Sequence, residues 1–400
     1  MKTNLCLLTA LCLAPAWVQA QPLQNAELQL GLTVKLYEDL PTPIAVSSIF
    51  NCRYFDGDIY VNQINVNAFG RYKSGSPLPT LTVDNTAVGE HRMVAPFRGA
   101  NKTKYLIGSG SGATQNDLMS RYDFDGQNKV DFPFPGALTV EGFDWADDDT
   151  IICTAYDSGN RNKLILVDVV ADPFSLALNT SWANGYVTTS VTTRIRNVRR
   201  GDVYSGYAYY GDAGQVDNPN FYAVNLATGQ ETLLGNAGPL TASGGSFGLW
   251  TVVERGGYLF VQTTDDGIQI FQMTSATQLG PWHATYNRSE LDMMSGTIAP
   301  DKYYGFDVTP DGKRFLLGNG AGITAEIGAP LLNVTTLGSE AVLAWPASVV
   351  NVTVESAASL APASFTDMPV PPAVYQDGKF NKANVTMTPE AAFFRLRRVP

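Results

Sequence analysis

One pattern of apolar and polar positions returns six times along this chain: an apolar run, a tight polar turn, and a second apolar run. The copies span 49–61 around Asp56-Gly57, 93–107 around Gly99-Ala100-Asn101, and 143–154 around Asp147-Asp148-Asp149. The others span 195–207 around Arg200-Gly201, 249–261 around Gly256-Gly257, and 306–317 around Asp311-Gly312. Asp-Gly and Gly-Gly pairs reach the positive φ of two-residue hairpin turns at little steric cost. Flanks such as Asp58-Ile59-Tyr60-Val61 and Tyr258-Leu259-Phe260-Val261 are β-branched, aromatic and nearly continuous in apolar character, which predicts strands covered on both faces. With residues 57, 100, 148, 201, 256 and 312 as turn centres, the spacings are 43, 48, 53, 55 and 56. Hairpins repeating at that length with no helical period between them predict the blades of an all-β propeller.

Further strand candidates follow most hairpins, at 68–72, 119–124, 163–169, 220–226 and 268–273. A weak run at 323–327 follows the sixth hairpin, and 27–36 reads as an orphan strand of alternating character. The expectation is a six-bladed propeller over 21–333, with 27–36 completing the last blade and so removing two exposed edges. A seventh, degenerate blade between 160 and 240 is the alternative.

After about residue 333 the composition changes. Strand candidates at 342–345 and 349–355, a proline-punctuated middle (Pro362, Pro369, Pro371, Pro372), and short runs at 384–387 and 393–397 predict a small C-terminal β module over 334–400. Its expected core is Leu343, Trp345, Val352, Phe393 and Leu396.

Residues 1–20 read as a secretory signal, with Lys2, an apolar stretch from Leu5 to Ala14, and Val18-Gln19-Ala20 as a small-residue cleavage site. That stretch is too short to span a bilayer and no later run is long enough, so no transmembrane segment is expected. The expected location is outside the cytoplasm: extracellular, periplasmic or at the cell surface. The formal net charge of −10 argues against a nucleic-acid surface, which needs a basic stripe. Beyond the signal only Cys52 and Cys153 remain, one in the first expected blade and one in the third. That separation favours buried free thiols over a bridge.

Several stretches carry family resemblances. Pro310-Asp311-Gly312-Lys313-Arg314-Phe315-Leu316-Leu317 resembles the inner hairpin of TolB-type propellers, and 257–273 is similar to repeats of bacterial surface propellers. The tail, with Leu343 to Pro346, Glu355 to Leu360 and Phe393 to Leu396, resembles a C-terminal module of secreted proteins of Verrucomicrobia and Planctomycetes, departing from it at Phe365. That resemblance implies an exported bacterial protein and no activity. Glu141-Gly142-Phe143-Asp144-Trp145 resembles the opening motif of gluconolactonase-type six-bladed propellers, with Phe143 in place of a proline. The resemblance implies that Glu141 lines the channel and binds a divalent cation.

Oxygen ligands suit Ca²⁺, so Glu141 and the alternating acids Asp123 and Asp125 are the candidate metal ligands, weighed against an inner-strand and a turn role respectively. Glu90, His91, Glu141, Arg194 and Asp307 are the candidate ligand-binding residues, on a channel rim where the inner strands begin. Phe143, Trp145, Phe247, Trp250 and Phe306 are expected to fill the spaces between blades. Arg194, Arg196, Arg199 and Arg200 cluster within one repeat and read as a solvated turn with interblade pairing. With only His91 and His283, a His-rich zinc site is disfavoured and a Ser-His-Asp triad has two possible bases. Two functions fit: a secreted or envelope-associated module binding an extracellular ligand, glycan or protein, or a metal-assisted hydrolase or lactonase with its cation in the channel. No catalytic residue is assigned.

Overall fold

A computed structural model describes residues 35–36, 49–63, 68–73, 79–84, 90–111, 118–135, 138–156, 162–214, 218–238, 248–263, 267–287, 303–310, 314–319, 324–328, 333–337, 339–346, 352–358, 366–368, 371–377, 380–388 and 393–398. The signal candidate at 1–20 and Phe247 lie outside these.

Between residues 49 and 328 the described residues form successive antiparallel meanders, each opening with one of the repeated hairpins. The first sheet joins Ile49–Phe55, Asp58–Gln63, Ala68–Lys73 and Pro79–Asp84 in that order. The second joins Glu90–Pro96, Tyr105–Ser111, Leu118–Asp123 and Val130–Pro133. The third joins Thr139–Trp145, Thr150–Tyr156, Lys163–Ala171 and Phe174–Leu178, with Tyr186–Thr188 extending the last edge by pairing with the start of Lys163–Ala171. The fourth joins Val198–Arg200, Tyr207–Gly211, Asn220–Asn225 and Glu231–Asn236. The stretch 160–240 therefore holds the outer strands of the third sheet and the whole of the fourth. The fifth joins Leu249–Arg255, Tyr258–Thr263, Gly267–Ser275 and Gln278–Asn287.

The sixth sheet runs Tyr303–Val308, Arg314–Asn319 and Thr324–Gly328, then takes Lys35–Leu36 as its fourth strand. Lys35 stands opposite Glu326, and Leu36 opposite Ala325. The rest of the 27–36 segment lies outside the described residues. This pairing gives the sixth sheet its fourth strand among the described residues and covers an edge of Thr324–Gly328 that would otherwise be open to another chain.

The first strand of each sheet packs against the first strand of the next, from the first sheet round to the sixth and back to Ile49–Phe55. Such a closed ring of stacked meanders is a β-propeller, and it explains why the repeats read as apolar on both faces. The aromatic residues fill the gaps between sheets. Phe143, Trp145 and Phe306 have no exposed surface, and Trp250 is buried. Cys52 and Cys153 are both free and buried. Burial pushes both thiols above their ordinary pKa, Asp307 adding to the effect at Cys52.

The sheets approach closely enough to require glycine. A Cβ on Gly142 would lie 2.6 Å from the Arg196 carbonyl oxygen of the fourth sheet's approach, and one on Gly248 2.4 Å from that of Asp212. Arginines on third strands latch neighbouring sheets. Arg71 donates to the Phe124 carbonyl at 2.9 Å and lies over its ring, and Arg121 donates to the Ala171 carbonyl at 3.0 Å.

Beyond residue 328, Asn333–Leu337, Glu340–Pro346, Phe380–Thr386 and Val374–Asp377 form one sheet, and Thr366–Asp367, Val352–Ala357 and Phe393–Arg398 another. Their shared core holds Ala341, Leu343, Trp345, Val354, Ala383 and Val385, with Phe394 packed on it. Leu343 and Trp345 match the expected core. Val354 also belongs to it, two residues along the strand from Val352, whose side chain lies outside the described residues, as does that of Leu396.

Candidate functional site

The six inner strands run the same way along the ring axis, so their ends, where each turns into its second strand, gather on one face. In three sheets the next-to-last residue of the inner strand is a buried carboxylate: Asp144, Glu254 and Asp307. Each accepts a backbone N–H from another sheet. Asp144 takes that of Arg200 at 2.9 Å, Glu254 takes those of Asp202 and Tyr204 at 2.7 and 3.2 Å, and Asp307 takes that of Tyr54 at 2.9 Å. Asp144 and Asp307 also accept the N–H of the next residue in their own strands. These acids tie sheets together.

Two arginines neutralise the two aspartates. Arg53 Nη2 lies 2.6 Å from Asp144, and Arg255 Nη2 lies 3.4 Å from Asp307. Burial alone would raise the Asp144 carboxyl, but Arg53, Arg98 and Arg255 together hold it below the usual carboxylate range. At Asp307 burial prevails and its pKa is raised, against the pull of Arg255 and Arg53. Burial likewise raises Glu254 against its three backbone N–H donors and Arg255. It lowers the Arg53 guanidinium despite Asp144 and Asp307.

Deeper along the axis, side chains of the first sheet meet those of the fourth, three sheets away. Asn51 donates to Asn197 Oδ1 at 3.1 Å, and Arg199 Nη2 donates to Asn51 Oδ1 at 3.0 Å. Asn197 continues to the Trp250 carbonyl at 3.0 Å. The axis is thus bridged by amide and guanidinium groups bonded to one another.

Above this network, at the face where the inner strands end, lies a cavity of about 450 Å³. Its walls come from all six sheets, with Arg53 to Gly57, Pro96 to Arg98, Asp144, Arg200 to Asp202, Arg255, and Val308 to Pro310 among the lining residues. Turn residues of the first, second and fourth hairpins contribute to this mouth together with the ends of the other inner strands, and Trp145 secures the second of these turns by donating its indole N–H to the Pro96 carbonyl at 2.9 Å.

The expected rim residues divide between the two ends. Glu141 is buried near the start of its strand, its Oε1 2.7 Å from Arg196 Nη1, with the guanidinium over the Trp250 ring. Arg194 is half-buried before the fourth inner strand, and its carbonyl accepts the Ala213 N–H. Glu90 and His91 open the second inner strand, and their side chains lie outside the described residues. Asp307 is fully buried beneath the opposite face, where the inner strands end. The arginine cluster does pair between blades at Arg196, but Arg199 is fully buried rather than solvated. Asp123 and Asp125 sit in the turn after Leu118–Asp123. There Asp123 accepts from the Asn128 amide at 2.6 Å and Asp125 from the Gln127 N–H at 3.0 Å, as turn acids do. Among the described residues no group of three or more His, Cys, Asp or Glu stands together as a metal site.

No protein-family model and no curated protein sequence matches the chain. Similar solved structures include a crystal structure of a nidogen/laminin complex, 15% identical, covering 61% of this chain and 82% of that one with a TM-score of 0.43. Another is the Pan2 WD40 domain of Neurospora crassa, 11% identical, covering 71% of this chain and 75% of that one with a TM-score of 0.42. The propeller assignment rests on the strand pairing and ring packing described above.

Proposed function

We propose that this protein is a secreted or envelope-associated binding module, a six-bladed propeller that receives its ligand at the mouth where the inner strands end. One observation carries the reading. Asn51, Asn197 and Arg199 bond one another across the axis and close it, whereas the mouth is an open, polar concavity lined by residues from every sheet. A site assembled from inner-strand ends and turns on a stacked-sheet body is held in place by the scaffold, and its turns can vary without disturbing it. No helix among the described residues is long and apolar enough to cross a membrane; export is assigned from the 1–20 pattern.

The test is to screen the purified protein on an array of extracellular glycans and proteins, and to map bound ligand by hydrogen exchange. Protection of 53–57, 96–102 and 200–205 is expected, with binding abolished by Arg200→Glu. Protection confined to another face sinks the proposal. The tail is proposed as a second unit beginning after residue 328. Limited proteolysis should cut first between 328 and 333 and leave two folded pieces; unfolding of either piece on cleavage would contradict that boundary.

A further inference from the structure

We propose that the mouth binds the carboxylate of a singly charged sugar acid, clamped between Arg98 and Arg200; this rests on the reading of the mouth as the binding surface. The charges lining it decide the class of ligand. Arg53 and Arg255 are neutralised by Asp144 and Asp307. Lys102 reaches Asp56 at 3.4 Å in an exposed pair. Arg98, from the second sheet, and Arg200, from the fourth, are half-buried in the wall on either side of Asp144. Neither forms an ion pair within 4 Å with a carboxylate among the described residues, although Arg98 lies near enough to Asp144 to help hold its carboxyl ionised. Arg200 directs its Nε to the Ser205 carbonyl at 2.9 Å, which orients the guanidinium and leaves both terminal nitrogens for a ligand.

Two guanidiniums with their donors available suit a planar carboxylate, which each can bind through parallel N–H···O bonds. The same wall carries Asp56, Asp144 and Asp202. Those acids would repel a doubly charged phosphate, while Asp202, Ser205 and Thr309 offer acceptors and hydroxyls for the rest of a polyol. A volume of about 450 Å³ accommodates one or two sugar rings. In a chain of net charge −10, this local balance favours one negative charge held by directed bonds over a long-range field.

The experiment is calorimetric titration of the full chain with galacturonate and glucuronate, galactose as the neutral control and inorganic phosphate as the doubly charged one. An oligogalacturonate arm separates a free sugar acid from the end of an acidic chain. Uronate binding is expected, weakened tenfold or more in Arg98→Ala and in Arg200→Ala and partially in Arg98→Lys, which keeps the charge without the fork. Lys129→Ala, which removes a cation paired with Asp131 away from the mouth, should change affinity less than threefold, and circular dichroism should show every variant folded. Equal uronate affinity in both alanine variants, or galactose or phosphate binding as tightly as uronate, overturns the proposal. Absence of uronate binding alongside an array ligand that protects the mouth overturns the sugar acid alone. An array ligand that protects another face overturns this proposal and the binding-module reading together.

Discussion

Replacing Arg53 by alanine should destabilise the propeller by about 3–5 kcal/mol, the cost of removing one partner of a buried ion pair while the other stays in place. The guanidinium binds Asp144 at 2.6 Å, donates to the Phe143 carbonyl at 3.0 Å and lies 4.4 Å from the centre of the Phe55 ring. Both charged side chains are only 3% exposed, so the pair is largely shielded from water although it borders the mouth. Asp144 would keep its two backbone N–H donors but lose the contacting charge that makes its ionisation tolerable. The double variant Arg53→Met, Asp144→Asn should recover most of the loss, because it removes both charges together. The pH dependence has a definite sign. With its folded pKa depressed, Asp144 contributes stability above its unfolded pKa of about 3.9, and that contribution is lost as pH falls through the folded value. In Arg53→Ala the deficit should therefore narrow on acidification, as Asp144 becomes able to protonate. Urea midpoints across pH 3–7 measure all three effects. A single-variant loss below about 1 kcal/mol, or a double variant as unstable as the sum of its parts, would show that the pair is not the link between the first and third sheets.

The ring was legible because it is written locally. Asp56-Gly57, Gly256-Gly257 and their counterparts mark each inner hairpin, and the apolar flanks follow from stacking between two neighbours. The orphan strand was legible for the complementary reason: the sixth repeat ran out of strands, and Lys35–Leu36 supplies one. The polar network was not, because its partners are remote in sequence. Arg53 and Asp144, Asn51 and Asn197, and Tyr54 and Asp307 meet only when six sheets close. Nothing near Arg199 announces that Asn51 will face it, so four arginines within seven residues read as a solvated turn. One sign of these links is nevertheless written in the sequence. Gly142-Phe143-Asp144 and Gly305-Phe306-Asp307 are the same tripeptide at the same place in two inner strands, each followed by a buried apolar residue. A repeated aspartate one residue before a strand end marks a shared structural duty, here the acceptance of a neighbouring sheet's N–H. Glu141, three residues before Asp144, lies near the start of the strand, towards the other end of the axis.

Trp145→Ala should be as damaging, at about 3–5 kcal/mol for removing a large, fully buried aromatic side chain. Its consequence should also be local in a way that separates it from an ordinary core cavity. The indole packs with its ring centre 5.4 Å from that of Phe97 and donates to the Pro96 carbonyl, so it anchors the turn that carries Arg98. That turn is otherwise closed by short backbone bonds, Asn101 N–H to the Arg98 carbonyl and Lys104 N–H to that of Asn101. Removing the indole should accelerate hydrogen exchange at Asn101 and Lys104 more than at the amides of the fifth sheet. It should also weaken binding at the mouth, although Trp145 is not among the residues lining it. Trp145→Phe tests the division of labour: it keeps most of the packing and leaves the Pro96 carbonyl without its donor. That carbonyl borders the mouth and can find water, so the lost bond should cost only about 1 kcal/mol, with the turn still protected. If Trp145→Ala lowers global stability while the exchange of Asn101 and Lys104 keeps pace with the rest of the ring, the tryptophan is filler between sheets. The position of Arg98 then has to be secured by the turn itself.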